Sequence, residues 1–178
     1  MSLQLFINGI SLGSVYALVA VGYCLVFSIL KFTNFAHGAM ITISAFIGYI
    51  CSIWFGLGLF GTLLCSIIGG AIVGIVGERI AFRKITVRGS STFYFFVSSL
   101  TWGTFLEQIV TIRVGSTFRS YPRFFESLVI RLGPDGQFAV STVDVFMLGS
   151  SLVGLVVLFV LLNKTKFGRA IRAASFDR

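Results

Sequence analysis

Two carboxylates lie within apolar stretches of the chain, and what they do is the first chemical question that the sequence raises. Glu107 lies in the run from Ser91 to Ile112, where a carboxylate is costly and usually faces a bundle interior or a wet cavity. One interpretation places Glu107 on a substrate path, and the other places it near the outer end of its helix, close to water. Asp144 lies near the start of the last apolar run, where it suits the positive end of a helix dipole.

A polar segment, Asn34-Phe35-Ala36-His37-Gly38, interrupts a long apolar stretch. Its polar groups would be costly in plain lipid. The pattern leaves two interpretations: an ordinary loop after Lys31, or a broken helix that exposes polar backbone to a central cavity, as transporters often build. His37 is the only histidine, and no second ligand lies at metal spacing, so we expect no metal site.

Enzyme chemistry finds little support in the remaining residues. The sequence has no phosphate-binding loop, no Ser-His-Asp set and no cysteine–histidine cluster. Cys24, Cys51 and Cys65 all lie in apolar runs, and we interpret them as small buried hydrophobic residues rather than a disulfide framework. We therefore expect no catalytic residue and no cofactor.

Composition indicates the elements that must hold these residues. The chain has 178 residues, of which 56% are hydrophobic and 11% charged, whereas soluble domains carry about 25% charged residues. A membrane-spanning helix needs about 20 mainly apolar residues. The runs predict five transmembrane helices: one in Met1–Leu30, two in Phe32–Glu78 with a turn at Phe55–Gly58, one in Ser91–Ile112 and one from about Phe138 to Asn163. The predicted class is an all-α integral membrane protein, one domain over 1–178, with one broken helix near 34–38.

Small residues recur at four-residue spacing, which lets two helices approach closely. Gly9 and Gly13 form one such pair, and Gly70 and Gly74 another. We expect both pairs to serve helix packing. The first apolar run lacks a basic leader and is too long for a secretory signal, so we expect a true span there.

The net charge of +8 does not point to nucleic acid, because the basic residues lie between the apolar runs. With the N-terminus outside, ten of the 14 basic residues fall on the inner side. The positive-inside rule therefore predicts an N-out, C-in topology. The long outer connection, 113–137, contains Pro122 and the turn-forming Pro134-Asp135-Gly136, and we expect either a small lid or docking surface or a plain solvated loop.

The tail, 164–178, is basic and follows the last span directly. Arg169 and Arg172 lie three residues apart, which places them on one stripe of a short helix. The pattern has two interpretations: positive-inside anchoring, or a cytoplasmic helix that docks into a partner protein.

Several segments together resemble the permeases of ABC importers for branched-chain amino acids. The segments that carry the resemblance are Asn8–Leu18, Gly22-Tyr23, Asn34–Gly38, Glu78–Arg83 with Arg88–Ser91, Thr101–Gln108 and Phe167–Ala173. The resemblance extends over nearly the whole chain and is most specific in the first block and in the last segment. In this family the chain continues past the last segment, so the resemblance implies a chain that is incomplete at its C-terminus.

The resemblance implies a permease subunit in the bacterial inner membrane with these partners: a second permease subunit, two cytoplasmic ATPase subunits that hydrolyse ATP, and a periplasmic or extracellular substrate-binding protein. The permease would contribute no catalytic residue. Gly168, Arg169, Arg172 and Ala173 would lie at the ATPase contact. Asn34, Phe35, His37 and Gly38 would lie by the substrate pathway, with Glu107 as a further candidate.

Other functions stay open at this level. Related permeases for urea or short amides share the opening motif. A membrane assembly protein or a remnant without a transport cycle is a different class, which the expected truncation favours. An independent channel finds no support, because nothing resembles a selectivity filter or a ring of like charges.

Overall fold

The computed structural model describes residues 2–88, 91–115, 117–122, 124, 129–132 and 138–176. The chain divides into two compact units. The first comprises Met1–Lys31 and Phe125–Arg178, and the second Phe32–Phe124. The single domain over 1–178 stays a prediction.

The first unit is a pair of long helices with two smaller additions. Its elements are α1 (Ser2–Leu30), β1 (Val129–Leu132), β2 (Phe138–Ser141), α6 (Thr142–Lys164) and α7 (Lys166–Phe176). Small residues hold α1 against α6. The Ser14 hydroxyl donates to the Ser11 carbonyl at 2.7 Å and lies 3.4 Å from the Ser151 hydroxyl. A Cβ at Gly154 would lie 3.1 Å from the Leu18 side chain, so this glycine permits close approach of the two helices.

The second unit is a helical hairpin packed with one further long helix. Its elements are α2 (His37–Phe55), α3 (Leu59–Gly77), a π-helical segment (Glu78–Phe82), α4 (Arg83–Val87) and α5 (Thr92–Val114). Gly56 ends α2 in the left-handed conformation, with φ of 61°, which glycine adopts without steric cost. The predicted turn at Phe55–Gly58 is therefore confirmed.

The core of the second unit lies between α2 and α5. Ala36, Ala39, Trp102 and Leu106 form its buried cluster. Outward-facing side chains are mostly apolar, and Phe60 on α3 is 85% exposed. Such a surface suits lipid rather than water.

The all-α membrane fold is confirmed, and four of the five predicted spans are found. Among the described residues, four helical stretches are long and apolar enough to cross a membrane: Gln4–Leu30, His37–Phe55, Leu59–Val87 and Thr142–Lys164. The fifth long helix, α5, has 23 residues but carries Glu107, Gln108 and several hydroxyl side chains. The α5 span and the N-out topology stay predictions.

One sequence expectation needs correction in the first unit. The last apolar run begins as a strand, because Phe138–Ser141 pairs antiparallel with Val129–Leu132 and α6 begins only at Thr142. Phe138-Ala139-Val140 is a short continuous apolar run, and periodicity alone does not decide whether such a run forms a strand or part of a helix. The Pro134-Asp135-Gly136 turn lies outside the described residues.

The cysteines are free, as expected, but they are not all buried. Cys24 is exposed, and Cys51 and Cys65 are partly buried. A helix that faces lipid gains nothing by covering an apolar side chain with protein, since lipid is equally apolar.

Candidate functional site

The predicted pathway segment is packed into the protein rather than held in a free loop. Asn34 is 6% exposed and Ala36 is fully buried. The Asn34 Oδ1 accepts a hydrogen bond from the Ala36 N–H at 3.1 Å, and the Asn34 carbonyl accepts from the His37 N–H at 3.3 Å. Asn34 thus satisfies two backbone N–H groups at the start of α2, one with its side chain and one with its own carbonyl. Asn34 builds the break that precedes α2.

Helix α5 closes over this break. The Phe35 N–H donates to the Ser99 Oγ at 3.3 Å, and that hydroxyl donates to the Phe96 carbonyl at 2.8 Å. A Cβ at Gly103 would lie 3.2 Å from Ala36 Cα, so the glycine lets α5 approach the backbone closely. The break is therefore fixed by contacts from a distant helix.

The structure brings together four of the five predicted pathway residues. Asn34, Phe35, His37 and Gly38 share the break and the first turn of α2. Phe35 is 49% exposed and its ring packs edge-on against Phe96. Gly38 is exposed, and His37 is partly buried.

Glu107 is not part of this cluster. The buried face of α5 consists of Ser99, Trp102, Gly103 and Leu106. Glu107 lies beside that face and is exposed, and its backbone carbonyl accepts a hydrogen bond from the Thr111 hydroxyl at 2.9 Å. A role for its side chain on the pathway stays a prediction.

Trp102 marks a second close contact of α5. Its ring lies beside Gly77, where a Cβ would be 2.6 Å from the indole Nε1. Within the part of the chain that the structure describes, this buried N–H has no hydrogen-bond partner. The contact lies where α3 passes into the π-helical segment Glu78–Phe82. π-Helical turns are rare and often found at functional sites.

Residues 117–122, part of the connection predicted to be a lid, a docking surface or a solvated loop, pack against α2. The Tyr121 hydroxyl donates to the Ala45 carbonyl in the middle of α2, and the Tyr121 ring packs at 90° against Tyr49 with centroids 5.7 Å apart. Burial raises the pKa of the Tyr121 phenol, although contacts with the Ser66 side chain and the Tyr49 backbone oppose the shift. The phenol therefore stays a protonated donor near neutral pH.

A tight corner joins α6 to α7 and contains two of the predicted coupling residues. The Arg172 guanidinium donates to the Leu162 carbonyl at 2.6 Å and to the Asn163 Oδ1 at 3.1 Å. The Gly168 N–H donates to the Thr165 Oγ1 at 3.0 Å. Arg172 thus satisfies a carbonyl at the end of α6, where a cation also suits the helix dipole.

Gly168 is required at this corner for a steric reason. It is buried, and a Cβ there would overlap the carbonyl oxygens of Leu161 and Leu162. Arg169 and Ala173, by contrast, are exposed on α7. The corner therefore separates the four predicted coupling residues into two that build it and two that present an outer face.

Asp144 has the first-turn position expected of it. The Ser141 Oγ accepts from the Val143 N–H at 3.3 Å, and the Asp144 Oδ2 accepts from the Ser141 N–H at 3.1 Å. The two residues form a capping box at the start of α6.

Of the two glycine pairs predicted to serve helix packing, one lies at a helix contact and the other does not. Gly70 packs against Ser44, with a hypothetical Cβ 2.7 Å from its Oγ, and Gly74 lies near Met40, so this pair serves α2–α3 packing as predicted. Gly9 and Gly13 meet nothing within 4 Å among the described residues. Packing by that pair is not seen.

Sequence reasoning missed Ser99 and Tyr121. Each acts through a partner more than 60 positions away: Ser99 bonds to Phe35 and Tyr121 to Ala45. The one available signal was the aromatic and basic content of 117–122, which is unusual for a plain solvated loop. Among the described residues, no group of three His, Cys, Asp or Glu side chains is placed to hold a metal ion.

These features define a class: a multi-pass helical membrane protein with a packed break between helices and a basic helix set at a corner, as in transport permeases. Residues 5–177 match the family described as branched-chain amino acid transport system / permease component. The chain belongs to that family, and it is a multi-pass protein of the inner membrane.

Similar curated proteins carry the same description. The chain is 29% identical over 185 residues to LivH of Salmonella typhimurium, a high-affinity branched-chain amino acid transport system permease protein, and 26% identical over 184 residues to BraD of Pseudomonas aeruginosa. Each alignment covers 98% of this chain and 59% of the relative. A probable branched-chain amino acid permease, LivH of Methanocaldococcus jannaschii, is 30% identical over 165 residues, which cover 88% of this chain and 50% of the relative. No solved structure matches the chain.

Proposed function

We propose that the chain is a membrane-spanning permease subunit of an ATP-driven importer for branched-chain amino acids. The observation that carries the proposal is the match to the permease family over residues 5–177. Relatives described as branched-chain amino acid permeases align along 98% of the chain. The chain spans 59% of those relatives' length, so the substrate and the complete assembly are part of the proposal.

Helix α7 is the proposed contact with the ATPases. Gly168 and Arg172 set the angle between α6 and α7 through the corner contacts. Arg169 and Ala173 then present an exposed face to a cytoplasmic partner. A corner fixed in this way can transmit motion from a nucleotide-driven partner into α6, because a helix pinned by hydrogen bonds moves as a unit. The partners are two ATPase subunits and a second permease subunit.

The break before α2 is the proposed pathway region. Asn34 and Ser99 satisfy its backbone internally, which is how non-helical backbone is tolerated at membrane depth. Phe35, His37 and Gly38 follow on the accessible side, and Glu107 is a further pathway candidate. A periplasmic or extracellular binding protein would deliver the amino acid to this route.

Uptake by cells tests the proposal and discriminates substrates. The chain is expressed with the products of its neighbouring genes in a host that lacks its own branched-chain uptake, and radiolabelled leucine, urea and acetamide are compared. We expect uptake of leucine that excess valine or isoleucine inhibits and urea does not. Uptake of urea or acetamide without leucine would assign the chain to amide transport, and no uptake of any of the three would overturn the transport function.

A further inference from the structure

One face of α2 consists of small or aromatic residues without charge. Gly38, Thr42, Ala45 and Tyr49 are spaced by four, three and four residues, which places them on one side of a helix. The first three are exposed. The Thr42 hydroxyl donates to the Gly38 carbonyl at 3.0 Å, so its polar atom is satisfied within the helix. This uncharged face, here called the α2 face, begins at the break that contains Asn34.

Residues 117–122 lie beside the C-terminal half of the α2 face, near Ala45 and Tyr49. Tyr121 fixes them there, because its hydroxyl donates to the Ala45 carbonyl and its ring packs against Tyr49. Gly48, one residue before Tyr49, makes room for a further contact of Tyr121. A Cβ at Gly48 would overlap the Ser66 hydroxyl, so only a glycine lets that hydroxyl lie close to α2, where it contacts the Tyr121 phenol.

A cavity of about 170 Å³ remains between the segment and the helix. Its lining residues are Ala45, Phe46, Tyr49, Arg119 and Tyr121. Pockets for drug-sized ligands measure about 300–1,000 Å³, so this cavity suits a much smaller molecule. Three aromatic rings and one exposed guanidinium line this open cavity.

Arg119 is not needed to hold the segment in place. Its Nη2 lies 3.4 Å from the Val114 carbonyl at the end of α5, which is long for a hydrogen bond. A guanidinium has five N–H donors, and over the residues that the structure describes this one has no carboxylate partner. The remaining donors suit a carboxylate, which arginine binds in bidentate fashion.

We propose that this cavity is a binding site for a small zwitterionic amino acid with an aliphatic side chain. Arg119 binds the carboxylate. Phe46, Tyr49 and Tyr121 enclose the side chain, and the tyrosine faces attract the ammonium group. The inference rests on the proposed transport function and deepens it, since the α2 face then forms the route from this site toward the break at Asn34.

Thiol protection tests the site on the chain alone, without ATPases or a binding protein. The native cysteines Cys24, Cys51 and Cys65 are replaced by alanine, and Ala45→Cys places a thiol in the cavity. The chain is reconstituted in nanodiscs and labelled with N-ethylmaleimide in the presence and absence of leucine. Ile53→Cys, on the same helix, is the matched control, because Ile53 is 52% exposed and outside the cavity lining.

We expect leucine to slow the labelling of Ala45→Cys about tenfold at about ten times its dissociation constant, because only unoccupied sites react. Isoamylamine, which lacks the carboxylate, is expected to protect far less. Arg119→Gln is expected to abolish protection by leucine and Arg119→Lys to retain part of it. Ile53→Cys is expected to react at the same rate with and without leucine.

Three results would overturn the site. These are equal labelling of Ala45→Cys with and without saturating leucine, protection that persists in Arg119→Gln, and protection that depends on added phosphatidylglycerol rather than leucine, which would assign the cavity to lipid. Uptake by cells decides the transport function separately. Leucine uptake without protection refutes the site and leaves the function standing, and protection without uptake does the reverse.

Discussion

The Arg172 guanidinium on α7 donates to the Leu162 carbonyl near the end of α6, at 2.6 Å. The same group also reaches the Asn163 side chain at 3.1 Å. Because both partners precede the corner, Arg172 ties α7 back to the helix from which it departs. Arg169, three residues earlier, donates its backbone N–H to the Thr165 carbonyl at 3.2 Å, whereas its side chain is exposed. Two arginines of one basic stripe therefore have different roles.

Arg172→Ala should loosen α7, because the end of α6 loses a charged hydrogen-bond donor. We expect faster amide hydrogen exchange across α7 and weaker recruitment of the ATPase subunits in a membrane pull-down. Arg169→Glu is the matched comparison, with unchanged exchange and reduced recruitment. Equal exchange in Arg172→Ala and the wild type would contradict the positioning role of Arg172, and full recruitment by Arg169→Glu would remove α7 from the ATPase contact.

Gly77→Ala should destabilise the second unit. The added Cβ would meet the rigid, buried Trp102 ring at 2.6 Å, and overpacking of this kind typically costs about 1–3 kcal/mol. The measurement is the thermal unfolding midpoint in detergent. Gly74→Ala, one turn earlier, is the control, because its nearest neighbour, Met40 Cε, would lie at 3.6 Å, an ordinary contact. Equal midpoints for the two variants would show that the Trp102 ring shifts without measurable cost and would contradict the prediction.

Ser99→Ala should loosen the break before α2. Loss of the hydroxyl leaves the partly buried Phe35 N–H without its acceptor, and the cost should lie below the value of about 1–3 kcal/mol for a fully buried unsatisfied donor. Hydrogen exchange at Phe35 and Ala36 should accelerate, and the unfolding midpoint should fall. Thr104→Val serves as the control, since the Thr104 hydroxyl is exposed and bonds only to the Leu100 carbonyl. Unchanged exchange at Phe35 would disprove the contribution of Ser99.

Glu107→Gln should alter leucine uptake without lowering the amount of protein in the membrane. The substitution removes the charge and preserves the shape of an exposed side chain that has no hydrogen-bond or ion-pair partner among the described residues. The measurements are uptake and immunoblot abundance in the same cells. Thr104→Val, one turn earlier on the exposed side of α5, should leave uptake unchanged. Wild-type uptake by Glu107→Gln would return this carboxylate to a structural position near the end of α5.

Local features were predictable because their causes are local. Long apolar runs identify helices, Gly56 predicts a turn because it adopts positive φ freely, and Asp144 suits a first turn because of the helix dipole. The helical tail around Arg169 follows from the same kind of pattern. At these positions, interactions between residues close in sequence determine the local structure.

Contacts between distant segments were not predictable from one sequence. Nothing in the residues around Tyr121 indicates that its hydroxyl reaches Ala45, 76 positions earlier. The Ser99–Phe35 bond, which joins residues 64 positions apart, has the same character, because contacts over long separations depend on the whole packing arrangement. The different roles of Arg169 and Arg172 were also not predictable. The sequence shows that the two arginines share one side of a helix, but it does not show that the Leu162 carbonyl of α6 lies within reach of Arg172.

Reconstituted uptake tests the central claim, that this chain is the permease part of an ATP-driven amino acid importer. Proteoliposomes contain the chain, its partner permease and the ATPases, with ATP enclosed and the binding protein and radiolabelled leucine outside. The account predicts that leucine accumulates inside above its external concentration, and that accumulation stops when the chain is omitted or ATP is replaced by a non-hydrolysable analogue. Equal accumulation with and without the chain would contradict the account.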